Sequence, residues 1–107
     1  MSFLKKMLGL GPGVDYNDLA NRGAIIVDVR SPQEYAGGHV RGSVNIPLGD
    51  LQRQLKRLPD KEQPIITCCA SGARSASAKN LLRAQGYTEV VNGGGWYSLN
   101  GKWPKKR

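Results

Sequence analysis

Cysteine is scarce in this chain, which has only Cys68 and Cys69, and the two are neighbours. Neighbouring cysteines cannot build the disulfide framework that stabilises many small secreted domains, and a free thiol favours a reducing compartment. With a single distant histidine, His39, they also lack the spacing of zinc ligands. We therefore expect neither a metal nor another cofactor.

Long apolar runs are also missing. No segment approaches the roughly 20 apolar residues of a membrane-spanning helix. Lys5 and Lys6 interrupt the apolar residues near the N-terminus, and no small-residue cleavage site follows, so this segment does not resemble a secretory signal. We therefore expect a cytoplasmic protein, with contact between the N-terminal segment and a membrane surface as the less favoured alternative.

Acidic residues are few, with eight carboxylates against sixteen lysines and arginines and a net charge of +8. A positive surface attracts nucleic acid or small anions. Apart from Lys5, Lys6 and the tail residues Lys102 and 105–107, the basic residues are scattered, and no nucleic-acid-binding motif accompanies them. We expect a solvated surface that steers anions toward the protein, and no binding of nucleic acid.

The length and composition indicate one globular domain. A chain of 107 residues with 39% hydrophobic and 22% charged residues can bury a real core but is too short for two domains. Glycines and a proline between Gly9 and Gly13 predict a hinge. We therefore predict a short N-terminal segment (1–12), one domain (13–104) and a basic tail (105–107).

Short apolar runs alternate with helical patterns along the domain. The clearest strand is 24–28, a continuous apolar run of the kind buried in parallel sheets. It is followed by a capping box, 31–34, that predicts the start of a short helix. The same criteria predict further strands at 43–46 and 64–68, and helices at 15–23, 48–58 and 75–84. This alternation predicts an α/β domain with a mainly parallel sheet of about four or five strands.

The run from Cys69 to Ser75, Cys-Ala-Ser-Gly-Ala-Arg-Ser, lies between a predicted strand and a predicted helix. Gly72 gives the backbone the freedom for a tight turn. N–H groups of the loop and of the first helical turn would then converge on the Cys69 sulfur, and Arg74 also favours an anion there. The pattern predicts a thiolate-prone nucleophile; the alternative is a buried structural cysteine.

This run resembles the active-site loop of rhodanese-type sulfurtransferases, in which a cysteine carries sulfur as a persulfide. Two more similarities stand in the family's order. One is the succession Ile26-Val27-Asp28-Val29-Arg30, Glu34-Tyr35, Gly38-His39-Val40, Gly42 and Asn45-Ile46-Pro47; the other is Val91-Asn92-Gly93-Gly94-Gly95-Trp96. The resemblance implies a rhodanese-like three-layer domain in which helices flank a central, mainly parallel sheet.

The resemblance also implies an activity and its residues. Cys69 would take a sulfane sulfur from thiosulfate or a persulfide and pass it to a thiol or to cyanide. The partners are then a small-molecule sulfur donor and a thiol acceptor, including a thiol on a protein. The residues expected to bind the donor are those after the cysteine: Ala70, Ser71, Gly72, Ala73, Arg74 and Ser75.

Several of these roles have alternatives. Arg74 either places a fixed charge beside the sulfur or forms an ion pair with Asp28 or Glu34. Ser71 either contacts the bound anion or faces solvent. Ser75 is predicted to cap the helix first and to donate to the sulfur second.

Asp28 and Arg30 are expected to support the loop rather than to perform chemistry. Cys68 should point away from Cys69 because side chains alternate along a strand, so we expect a buried apolar thiol rather than a resolving cysteine. We expect His39 to be architectural rather than a catalytic base. Three aromatic residues are expected to pack in the fold: Trp96, Tyr97 and Trp103.

Two other functions compete with sulfur transfer. Phosphatases and arsenate reductases of the same fold resemble Cys-x5-Arg, whereas Cys69 and Arg74 form Cys-x4-Arg, a smaller cup suited to sulfur. Rhodanese-like modules that only bind partners typically lack the cysteine, which this chain keeps. Many thiosulfate-using members carry cations directly after the cysteine, whereas positions 70, 71 and 73 of this chain carry none. In addition, Arg41 replaces the proline that usually follows the family's Gly-His-Ile segment.

Overall fold

The computed structural model describes residues 13–105, in which four short strands form one sheet. The strands are β1 (Ile25–Asp28), β2 (Val44–Asn45), β3 (Ile65–Cys69) and β4 (Val90–Gly95). Their order across the sheet is β2-β1-β3-β4, and all three neighbouring pairs are parallel. The predicted parallel α/β sheet is confirmed, with the strand that ends in Cys69 in its interior. The predicted N-terminal segment 1–12 and the last two residues of the predicted tail lie outside the described residues.

The helices are α1 (Tyr16–Asn21), α2 (Pro32–Ala36), α3 (Leu48–Leu51), α4 (Ala73–Ala84) and α5 (Trp96–Lys102), and a 3₁₀ helix (Gln52–Arg57) follows α3. The predicted start of α1 is confirmed, because the Asp15 side chain accepts the Asp18 N–H at 3.0 Å. The predicted capping box of α2 is also present, since Ser31 and Glu34 each accept the other's backbone N–H. No helix in this part of the chain is long and apolar enough to cross a membrane.

The predicted helix 48–58 differs from the structure in its second half. It is α-helical only through Leu51 and then continues as the 3₁₀ helix, with a kink at Gln54 (φ −107°, ψ 16°). The predicted leucine stripe is nevertheless turned inward, because Leu51 and Leu58 are both buried. The apolar spacing therefore identified the buried face although not the helix type.

The sheet is covered on both faces, which makes three layers. One apolar cluster joins the sheet to α3 and α4 and includes Leu51, Ala78 and Leu82. The other joins it to α1 and α5 and includes Leu19 and Leu99. Strand β3 supplies both clusters by alternation: Ile65 and Cys69 belong to the first, Ile66 and Cys68 to the second.

Candidate active site

The candidate site lies at the carboxyl-terminal edge of the sheet. Cys69 ends β3 and Asp28 ends the neighbouring parallel strand β1, where Asp28 is paired with Cys68 in the register. Parallel strands present their carboxyl ends to the same edge, and open α/β sheets bind ligands beyond that edge. The predicted placement of Asp28 and Cys69 on one edge of the sheet is therefore confirmed.

A tight turn of three residues connects Cys69 to α4. Gly72 ends the turn with φ 109°, a left-handed conformation that a residue with a side chain adopts only under strain. Helix α4 consequently begins at Ala73, two residues before the predicted start. The loop residues Ala70 and Ser71 are exposed, whereas Cys69 is only 1% exposed, so its sulfur lies in a recess below the loop.

Backbone N–H groups point at the Cys69 sulfur from the turn and from the helix. The Gly72 N–H donates to Sγ at 3.0 Å and the Ser75 N–H at 3.4 Å. The Ser75 hydroxyl oxygen lies 3.5 Å from Sγ and accepts from the thiol in this arrangement. The predicted convergence of loop and helix N–H groups on the sulfur is confirmed.

These contacts favour the thiolate. Burial, the largest single influence, raises the pKa of the Cys69 thiol, but the side-chain contact with Ser75 and the hydrogen bonds from backbone N–H groups together outweigh it. The net result is a pKa below the ordinary value of a cysteine. The surroundings thus favour the thiolate, which is the reactive form of a cysteine.

Cys68 has the opposite environment. It is fully buried in the cluster on the other face of the sheet, together with Ile66 and Leu99. Burial, and secondarily the charge of Asp28, raises the pKa of its thiol to about 12. The predicted burial of this thiol is confirmed, and the two cysteines differ in environment because the pleat turns them to different faces of the sheet.

Ser75 and Asn92 form a hydrogen-bonded pair behind the sulfur. The prediction that Ser75 caps α4 is wrong: it is the third residue of the helix, which Gly72 precedes without a side-chain cap. Its hydroxyl donates to Asn92 Oδ1 at 2.6 Å, and Asn92 Oδ1 is fixed by the Gly94 N–H at 2.9 Å. The contact of Asn92 with Ser75 was not predicted, because Asn92 lies in the middle of β4 and far from Ser75 in sequence.

Arg74 is held in an ion pair with Glu34. Nη1 donates to Oε1 at 2.8 Å and Nη2 to Oε2 at 3.0 Å, which is a two-pronged contact between half-exposed side chains. Of the two interpretations left open for Arg74, the structure shows the ion pair, and its partner is Glu34 rather than Asp28. The hydrogen bonds of Arg74 hold the pKa of Glu34 at about 2.

Asp28 and Arg30 form a second ion pair, and this one is buried. Arg30 Nη2 lies 2.8 Å from Asp28 Oδ2, with exposed fractions of 4% and 0% for the two side chains. The Arg30 guanidinium also donates to the backbone oxygens of Gly38 at 2.7 Å and Glu34 at 3.2 Å. Its centre lies 4.8 Å above the Trp96 ring. The pair therefore fixes the segment 34–38 and the start of α5.

In the structure, Asp28 and Arg30 connect to the loop through other residues. One route runs through the segment that carries Glu34, which holds Arg74. The other runs through Trp96 to its neighbour Gly95, which lies against the loop: a Cβ at Gly95 would be 2.8 Å from the Ala70 carbonyl oxygen. Both routes end on the loop that surrounds the sulfur.

The remaining predicted residues are structural or exposed. The His39 ring stacks on Tyr35 at 3.7 Å, and its Nδ1 lies 2.7 Å from the Tyr35 carbonyl oxygen, contacts of an architectural kind. Trp96 and Trp103 pack against the cluster on the α1 and α5 side. The prediction that Tyr97 packs in the fold is wrong, because this residue is 78% exposed, although its ring stands perpendicular to the Trp96 ring at a centroid distance of 5.5 Å.

We expect Cys69 to react with iodoacetamide as a thiol of lowered pKa. The alkylation rate should rise with pH and reach half its plateau below the reference of about 8.5 for a free cysteine, because hydrogen bonds stabilise the thiolate. Cys68 should stay unmodified over this range, since its pKa is about 12. The same protein in denaturant is the control and should show a midpoint near the reference. A midpoint at or above the reference in the folded protein would contradict the arrangement of donors.

Comparison with known proteins finds one family model and several relatives that match this chain. The sequence model of the Rhodanese-like domain matches residues 14–101. The chain is 40% identical over 70 residues to thiosulfate sulfurtransferase PspE of Escherichia coli strain K12, a match over 64% of this chain and 67% of the relative. It is 37% identical over 84 residues to thiosulfate sulfurtransferase GlpE of Ectopseudomonas mendocina, a match over 78% of this chain and 71% of the relative.

A solved structure supports the same grouping. The fold is similar to that of a structure described as a rhodanese with anions from E. coli, with a TM-score of 0.69 and 36% sequence identity. The similarity covers 79% of this chain and 99% of that one.

Proposed function

Because the chain belongs to the rhodanese-like family, we propose that it is a sulfurtransferase that carries a sulfane sulfur as a persulfide of Cys69. The observation that carries the proposal is the buried Cys69 sulfur, which accepts N–H groups from Gly72 and Ser75 and has a lowered pKa. Relatives named thiosulfate sulfurtransferases support the reaction class. The proposal includes the predicted binding of the sulfur donor by the loop that follows Cys69.

In the first half-reaction the Cys69 thiolate attacks the sulfane sulfur of the donor. A sulfur–sulfur bond forms to Sγ, and the bond between the sulfane sulfur and the rest of the donor breaks. The remainder leaves with the electron pair, as sulfite when thiosulfate is the donor. The product is Cys69–S–S⁻, whose outer sulfur carries the negative charge beside the exposed part of the loop.

In the second half-reaction an acceptor nucleophile removes the outer sulfur. A thiolate or cyanide bonds to that sulfur, the sulfur–sulfur bond to Cys69 breaks, and the electron pair returns to Sγ. The N–H groups of Gly72 and Ser75 then stabilise the leaving thiolate, as preorganised donors do for developing anions. The acceptor is a small thiol or a thiol of a partner protein, and a reducing cytoplasm would keep both cysteines as the free thiols seen here.

The loop geometry argues against phosphate chemistry. A phosphatase loop of this kind must offer a set of free backbone donors to a phosphate above the cysteine. Here the Gly72 N–H lies 3.0 Å from the sulfur itself, and only four residues separate Cys69 from Arg74. These donors solvate one sulfur atom rather than a tetrahedral anion.

Intact-mass measurement tests the proposal. After exposure to thiosulfate, the protein should gain the mass of one sulfur atom, and cyanide should remove it with release of thiocyanate. Hydrolysis of an aryl phosphate should be negligible in the same preparation. Protein alkylated at Cys69 beforehand is the control and should gain nothing. An unchanged mass with thiosulfate and with a small persulfide donor would contradict the proposal, as would phosphatase turnover comparable to sulfur transfer.

A further inference from the structure

Arg74 is the only cation in the run from Cys69 to Ser75, and the structure shows it engaged with a carboxylate. Both guanidinium nitrogens at its tip donate to Glu34, at 2.8 Å and 3.0 Å. Two-pronged arginine–carboxylate contacts fix direction as well as distance. The one positive charge that the loop offers to an anionic donor is thus balanced by a negative charge.

Glu34 is itself held in place. Its Oε1 accepts the Ser31 N–H at 2.9 Å in the capping box of α2, and its carbonyl oxygen accepts from Arg30 at 3.2 Å. Its pKa is lowered to about 2, chiefly by the hydrogen bonds from Arg74 and next by the Ser31 N–H. The carboxylate is therefore ionised and preorganised at any physiological pH, and its position does not depend on Arg74 alone.

Arg74 stands in the first turn of α4, next to a residue that contacts the reacting sulfur. Arg74 directly precedes Ser75, whose N–H is 3.4 Å from the Cys69 Sγ. The negative charge of Cys69 also contributes to the raised pKa of Arg74, after the larger effect of the Glu34 hydrogen bonds. The charges of Arg74 and Cys69 therefore interact, and an anion held at the sulfur would interact with Arg74 in the same way. Positions 70, 71 and 73 are alanine, serine and alanine, so they add no compensating cation.

We propose that Glu34 is a specificity-determining residue: by engaging Arg74 it disfavours doubly charged sulfur donors, so that the preferred donor carries a single negative charge, as a persulfide does. The inference rests on the proposed sulfurtransferase function and narrows its substrate class. A dianion is attracted more strongly than a monoanion by a free guanidinium, and it is repelled more strongly by a nearby carboxylate. The binding of a monoanion is less sensitive to these two charges. The backbone N–H groups at the sulfur can bind either donor.

Two donors that deliver the same sulfane sulfur test this proposal. Thiosulfate is a dianion, and methanethiosulfonate is a monoanion that leaves as methanesulfinate in place of sulfite. The quantity to measure is the ratio of kcat/KM for thiosulfate to kcat/KM for methanethiosulfonate. Because both rates come from one preparation, partial unfolding of a variant cancels in the ratio.

Glu34→Gln should raise this ratio by about 1.5- to 5-fold, the range expected for an exposed charge interaction. Glutamine has the same shape and can complete the same capping box, so α2 should be preserved. In an Arg74→Gln background, Glu34→Gln should raise the ratio clearly less, because it then removes only the repulsion by the carboxylate and frees no guanidinium. A ratio that does not rise in the single variant, or that rises equally in both backgrounds, would overturn the proposal.

The chain offers a matched control at the other edge of the sheet. Arg22 and Glu89 form a two-pronged pair with both distances at 2.8 Å, and the Glu89 side chain is 40% exposed against 39% for Glu34. Glu89→Gln makes the same change in net charge and should leave the donor ratio unchanged. A rise equal to that of Glu34→Gln would indicate an effect of total charge and would refute the ion-pair explanation.

The proposed function and this inference fail in different ways. If neither donor adds a sulfur atom to Cys69 in the wild-type protein, sulfur transfer itself is refuted. If both donors add it and Glu34→Gln leaves their ratio unchanged, only the role of Glu34 is refuted.

Discussion

Cys69→Ser should abolish sulfur transfer, with a loss of at least about 10³-fold in kcat/KM, because removal of the covalent nucleophile leaves only binding and electrostatic contributions. The serine hydroxyl can still accept the N–H groups of Gly72 and Ser75, which now meet the sulfur at 3.0 Å and 3.4 Å. The fold should therefore persist, with a melting temperature close to that of the wild type. Thiocyanate formation from thiosulfate and cyanide measures the activity, and intact mass measures loading with sulfur.

Cys68→Ala is the matched control for this variant. Cys68 is fully buried in the apolar cluster and close to the Asp28 carboxylate, so alanine removes one sulfur atom without burying a new polar group, which serine would do. Most of the activity should remain, and the mass gain should persist. If Cys68→Ala were folded and as inactive as Cys69→Ser, the reaction would need both cysteines and the single-nucleophile scheme would be wrong.

The sequence predicted the site best where local chemistry decides the structure. A glycine three residues after Cys69 and a helical pattern beyond it are sufficient to place backbone donors at the sulfur, and the structure places them there. The apolar runs of β1 and β3 likewise carry their own signal, because both strands are buried in the sheet interior. The local sequence of these elements determines their structure, so they can be predicted from that sequence alone.

The prediction failed where a distant contact decides. Strand β4 was not predicted as a strand, since it ends in three glycines, which are poor strand formers. The glycine at the end of β4 is required by a tertiary contact: a side chain at Gly95 would meet the Ala70 carbonyl oxygen. The two residues are far apart in sequence, so the sequence pattern does not reveal this contact. The wrong prediction that Ser75 caps the helix has a similar cause. The hydroxyl of Ser75 bonds to Asn92, which lies in β4 and is distant in sequence.

Substitution in the buried ion pair of Asp28 and Arg30 should have the largest effect on stability. Asp28→Ala should lower the free energy of unfolding by about 3–5 kcal/mol, the typical consequence of leaving one member of a buried ion pair without its partner. The Asp28 carboxylate accepts the Arg30 guanidinium at 2.8–3.1 Å and also the Arg30 backbone N–H at 3.0 Å. A small domain has about 5–15 kcal/mol in total, so the loss should be plain in urea denaturation.

The double variant Asp28→Ala/Arg30→Met separates stability from support of the loop. Replacing both charges removes the unpaired guanidinium, and apolar replacements of buried ion pairs are often neutral, so much of the lost stability should return. Activity should not return with it, because methionine cannot donate to the carbonyl oxygens of Gly38 and Glu34 that Arg30 now holds at 2.7 Å and 3.2 Å. The segment that positions Glu34 against Arg74 would lose its anchor. Full recovery of both stability and kcat/KM would show that the buried pair does not support the loop, and a single variant as stable as the wild type would show that Arg30 needs no counter-charge.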